Sequence, residues 1–261
     1  MTLFRHEMKR AWKSLLIWTL SIGSFIAICL LIYPEMKRQM DSITSAFANM
    51  GSFSSAFGLD TLEYGTLKGY YGIECGEVLG LGGALFAALL GVNALAKEEK
   101  NGTAEFLLTH PRSRTEIVTA KLASVLVQIV VLNVTVWLMA IAFTAVIGEA
   151  VPWAEFSLLH LAYFLMHVEI ACVCFGLSAC TGKGGVGIGL GLTIGMYFLN
   201  IIANLSKSVD FLKYITPFGY CDGSSIVNSL SLNAGMLLIG LALTAAGVAL
   251  AYWRYNKKDI R

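Results

Sequence analysis

Charge is scarce in this chain: 14% of its 261 residues are Asp, Glu, Lys or Arg, against about 25% in ordinary soluble domains. Hydrophobic residues supply 56% of it, a balance that excludes a water-soluble globule. The charges that remain nearly cancel, 19 basic against 17 acidic, so no net positive field points to nucleic acid as a partner. A nucleotide-binding motif is also missing. Walker A needs G-x-x-x-x-G-K-[ST], whereas Gly176 lies one residue too far from Gly182-Lys183 and Gly184 follows where Ser or Thr belongs. Gly182, Gly184 and Gly187 spell G-x-G-x-x-G, but no strand precedes them and they open an apolar run, which excludes a dinucleotide fold. With no H-E-x-x-H and no paired intramembrane Asp, nothing supports an intramembrane protease. No small-x-small site ends the first apolar run, so it is expected to stay as a span.

What is present is a series of six long apolar stretches: 15–33, 76–96, 117–147, 157–180, 184–205 and 234–253. At about 20 residues per crossing they use nearly half the chain and leave little for a soluble domain. Lipid offers the backbone no hydrogen-bond partners, and barrel strands would alternate apolar and polar residues, so these runs predict helices. The fold class is therefore an all-α polytopic membrane protein with six spans, read as one transmembrane domain over 1–261.

Six spans put both termini on one side and sort the loops into two sets. One set carries 14 of the basic residues, including Arg5, Lys9, Arg10, Lys13, Lys97, Arg114, Lys257 and Lys258, and the other carries 5. The positive-inside rule predicts cytoplasmic termini and a cytoplasmic 97–116 loop in a multi-pass protein of the cytoplasmic membrane. Residues 1–14 place Phe4, Met8 and Trp12 on one helical stripe among basic residues. That pattern fits an interfacial helix as well as a simple positive flank. The outer segments 34–75 and 206–233 are too short to be domains and are expected to pack on the spans.

The cytoplasmic loop carries the most information. From Lys97 it reads KEEKNGTAEFLLTHPRSRTEIVTAK. Gly102 breaks a helix, Thr103 can cap a new one, Glu105 suits its first turn, and Pro111 stops it, leaving Phe106, Leu107 and Leu108 as an apolar tip. Ser113 and Glu116 then form an S-x-x-E capping box before the third span. A helix this short needs a partner to pack on, and a greasy tip among charges suits insertion into a groove. The competing reading is an ordinary charged connector.

The order of Glu98, Glu99, Gly102, Thr103, Glu105, Leu107, Leu108, Pro111, Arg114 and Lys121 resembles the coupling loop of ABC-2 type permeases, the membrane subunits of ABC exporters. The resemblance extends to the N-terminal amphipathic segment, the six spans, Thr216-Pro217-Phe218 and the Lys257-Lys258-Asp259 tail. It implies no catalysis by this chain. It also implies two separate ATPase subunits that carry ATP and Mg, a second permease copy or homologue, and contact with membrane lipid. On this reading the chain exports a drug, peptide antibiotic or lipid-like cargo. The alternatives are an ion or metal exporter centred on Glu169, and a membrane scaffold driven by an ATPase without passing a substrate.

Other residues leave choices open. Gly187, Gly191 and Gly195 repeat every four residues on the fifth span, and Gly76, Gly80, Ala84 and Ala88 do so on the second, both stripes where a helix can approach closely. The fourth span gathers His160, His167, Glu169, Cys172, Cys174 and Cys180. Ionisable groups at that depth mark a transport path by default, so Glu169 and His167 are its candidates. Interhelical hydrogen bonds explain the same residues, and no resident metal is expected. Cys75 and Cys221 both fall on the outer side, where a bridge would form only if their Cα atoms come within ~7 Å.

Overall fold

The computed structural model of the chain describes residues 2–39, 51, 65–102, 113–181 and 185–258. Among them every regular element is helical. The elements are α1 (Thr2–Arg38), α2 (Leu67–Tyr70), α3 (Gly76–Asn101), α4 (Arg114–Val146), α5 (Trp153–Cys180), α6 (Val186–Leu205), α7 (Gly223–Ser229) and α8 (Ala234–Lys257). A π-helical turn, Tyr71–Cys75, joins α2 to α3 without a break. Six helical segments are long and apolar enough to cross a membrane, in agreement with the all-α reading.

Several boundaries differ from the sequence reading. Residues 1–14 do not form a helix with its own end: α1 runs for 37 residues, a length of about 55 Å, through the expected junction at Ser14. No Gly or Pro lies before Gly23 to end it, and its first turns pack on α4, where Ser124 Oγ donates to Met8 Sδ at 3.4 Å. The helix also continues past Pro34, and Lys37 then pairs with Glu149 at 2.7 Å. The second crossing begins at Leu67, nine residues before Gly76, because Thr66 caps α2 by accepting from Gly69 N–H at 3.3 Å.

Helix α5 is the centre, with 67% of its most apolar window buried, whereas α6 and α8 bury 17% each. Lipid tails are as apolar as Leu, so close backbone approach rather than hydrophobicity decides which helices meet. The second-span stripe does this: Tyr163 of α5 lies where side chains at Gly76 and Gly80 would stand, and Ala84 and Ala88 are fully buried. Farther along, Gly91 meets the backbone around Ala171 and Phe175. On the opposite face of α5, Gly176 rests on the backbone of Gly247, and Gly247 rests on Cys172 of α5.

The 206–233 segment folds back on the bundle, as expected. Thr216 Oγ1 donates to Met196 O at 3.0 Å, and Pro217, Phe218, Tyr220 and Cys221 are buried. Asp222 caps α7 by accepting from Ser225 N–H at 3.1 Å.

Candidate functional site

The base of the 103–112 loop is the most organised polar region of the described chain. Gly102 ends α3 in the left-handed region, φ 67°, where its backbone N–H bonds Glu98 and Glu99 carbonyls. Ser113 starts α4 with the capping box that its spacing predicts: Glu116 N–H donates to Ser113 Oγ at 3.1 Å, and Ser113 N–H donates to Glu116 Oε2 at 3.3 Å. Both stems of the loop therefore have satisfied ends. Thr103, Glu105, Phe106, Leu107, Leu108 and Pro111, which the sequence places in the coupling helix, lie outside the described residues.

Each stem is tied to other helices by charge. Lys121 of α4 is buried, 2.8 Å from Glu98 of α3 and 3.0 Å from Glu7 of α1. An ammonium at this depth is tolerable because two carboxylates surround it. Glu99 turns to the chain's end, pairing with Lys258 at 2.8 Å. Arg114 donates to the carbonyls of Tyr255 at 3.1 Å and Asn256 at 3.3 Å, and also to Lys258 O, satisfying the C-terminal orphans of α8. Glu98, Glu99 and Arg114 thus point inward and lock the loop's base to α1, α4 and the end of α8. The sequence singled these residues out, but it did not show their partners Glu7 and Lys258.

The acid and the histidines of α5 each meet a different partner. Tyr220 O–H donates to Glu169 Oε2 at 2.9 Å, and the carboxylate lies against Gly240, whose missing side chain makes the room. Burial, with Cys221 and Glu169 beside it, holds the Tyr220 phenol well above its usual range, so it remains a donor. His167 Nδ1 lies 3.2 Å from Asn133 Oδ1 and its ring covers Gly83, while His160 Nε2 lies 2.7 Å from Tyr71 Oη. The two histidines of the seven-residue repeat therefore meet different partners. Among the described residues no three His, Cys, Asp or Glu gather as a metal site would require.

Cys75 and Cys221 are free, buried thiols rather than a bridge. Cys75 instead stands beside Cys29 of α1, and Cys221 donates to Ala162 O at 3.3 Å. Burial pushes the Cys221 thiol up, which keeps its proton for that bond. Gly187, Gly191 and Gly195 are exposed, with no atom of the described residues where their side chains would stand. The inward face of α6 carries Gly189 and Thr193, and Gly189 packs on Val92. Sequence reasoning missed Tyr220, Tyr71 and the Gly240/Gly247 pair; the seven-residue spacing of that pair on an apolar helix was the available signal.

Fold and loop base together define a polytopic helical membrane subunit whose one clamped loop joins spans two and three. The chain belongs to the ABC-2 family of transporter proteins, whose family model matches residues 1–260. It is thus a membrane permease subunit of an ABC transporter, a class that works with ABC ATPase partners. No curated protein matches the chain significantly.

Proposed function

We propose that this permease works as a dimer with two ATPase subunits and moves a hydrophobic or amphipathic cargo outward. The supporting observation is the ion-paired base of the 103–112 loop. A push on that loop from a closing ATPase reaches α1 through Glu98, Lys121 and Glu7, and reaches α8 through Arg114 and the Glu99 to Lys258 pair. Helices tied in this way move as rigid bodies, which alternating exposure of a path requires. The exposed Gly187, Gly191 and Gly195 stripe on the sparsely covered α6 suits close contact with the second permease.

Leu107→Asp with Leu108→Asp tests the coupling step. A carboxylate forced unpaired into an apolar groove costs several kcal/mol, weakening a micromolar contact by about 100-fold or more. The ATPase should be lost from the purified complex while the permease still inserts; retention at wild-type yield rejects the coupling role. ATP-dependent uptake of amphipathic probes into inside-out vesicles checks direction. Intact ATPase binding with no uptake of drug, peptide or lipid-like probes would favour the scaffold alternative.

A further inference from the structure

At the end of the bundle that carries the loop base, α1, α3 and α4 line an open cavity of about 430 Å³. That volume falls within the ~300–1,000 Å³ of ordinary small-molecule sites. Its lining changes character along the helices. Arg10, Lys97 and Lys121 stand with Glu7 at the loop end, while Phe86, Leu89, Leu90 and Val125, interspersed with Asn93, Ser124 and Gln128, line the part farther along the helices. From Lys97 to Leu90 the helical rise is about 10 Å.

The charges at the loop end do not balance. Both nearby carboxylates, Glu7 and Glu98, are engaged by Lys121. Arg10 and Lys97 repel one another, and among the described residues neither has a carboxylate at ion-pair distance. Three cations against two carboxylates leave one positive charge over. Two like charges beside a half-apolar cavity are unfavourable until an anion joins them. A phosphodiester on an acyl chain supplies one negative charge, oxygens for the guanidinium and ammonium groups, and a tail for the apolar wall.

We propose that this cavity holds one anionic phospholipid, its phosphate between Arg10 and Lys97 and an acyl chain along Phe86, Leu89, Leu90 and Val125. The lipid would wedge between the three helices that Lys121 joins. Arg10 and Lys97 take no part in the ion pairs that tie the loop base, and the test needs no ATPase, so the proposal stands or falls independently of the exporter reading.

Native mass spectrometry of the purified full chain, equilibrated with equal phosphatidylglycerol and phosphatidylcholine, tests the proposal. Wild type should retain phosphatidylglycerol over phosphatidylcholine by about 30-fold, the scale expected for two juxtamembrane cations. Arg10→Gln with Lys97→Gln should bring the ratio near unity, and Arg10→Lys with Lys97→Arg should preserve it. Equal retention by wild type overturns the proposal, as does an undiminished preference in the Gln pair. Millimolar inorganic phosphate should fail to displace the lipid. Full displacement would mean that the site reads free phosphate and that no lipid is held. Should the Gln pair fail to fold, the wild-type ratio and the phosphate competition still decide.

Discussion

Lys121 and Glu98 form a buried ion pair, 2.8 Å long, between the two helices from which the 103–112 loop departs. With Glu7 as the second acceptor, Lys121 is the only cation shared by α1, α3 and α4 among the ion pairs of the described residues. Lys121→Met should therefore leave both carboxylates without their ion-pair partner and destabilise the protein by about 3–5 kcal/mol. Adding Glu98→Gln to that variant should recover part of the loss. Thermal unfolding in detergent measures both; a Lys121→Met midpoint equal to wild type would show that the pair is not formed.

Much of this was legible before any coordinates, and the reason differs by residue. The six spans followed from run length, and the Ser113 to Glu116 capping box followed from spacing, because both are local. The separate helix expected over 1–14 is instead the first part of α1, since Lys13-Ser14 marks a change of polarity and not a helix breaker. The partners of Glu98, Glu99 and Glu169 were hidden because each lies in a distant part of the chain, between 23 and 159 residues away. The Cys75 to Cys221 bridge failed for the same reason: sharing a side of the membrane does not set the direction of a thiol.

Two glycines that look alike in sequence should respond differently to bulk. Gly247 sits on the backbone of Cys172, so Gly247→Leu pushes α5 and α8 apart within one protomer. Overpacking of this kind costs about 1–3 kcal/mol or more, and the monomer should melt earlier. Gly191 meets nothing in its own protomer, so Gly191→Leu should leave the monomer's melting unchanged and shift the dimer toward monomer in size-exclusion chromatography. A wild-type dimer carrying Gly191→Leu would place the stripe against lipid.

Orientation is tested by labelling. The 14 to 5 distribution of basic residues predicts Asn101 inside and Ser208 outside. In a background without native cysteines, Ser208→Cys in intact cells should react with an impermeant maleimide, and Asn101→Cys should react only after lysis. The opposite pattern would reverse the topology and, with it, the side on which the ATPase must bind.

Glu169 separates a structural acid from one that meets cargo. Its Oε2 accepts from Tyr220 at 2.9 Å, and both residues are nearly inaccessible, 4% and 5% exposed. Glu169→Gln keeps the shape and an acceptor for the phenol, so stability should fall by no more than about 1 kcal/mol. Glu169→Ala removes the acceptor and opens a void beside Gly240, leaving the buried Tyr220 hydroxyl unpaired at a cost of about 2 kcal/mol or more. Tyr220→Phe should resemble the Ala variant in stability, because it strips the carboxylate of its donor. A transport role predicts another order: Glu169→Gln alone would abolish cargo-stimulated ATP hydrolysis while basal hydrolysis and melting stay near wild type. The pairing with Tyr220 favours the structural order, with stimulation surviving in Gln and both stability and stimulation falling together in Ala. Selective loss of stimulation in the Gln variant would instead assign the charge to cargo or ion, since the hydrogen-bonded shape alone would then be insufficient.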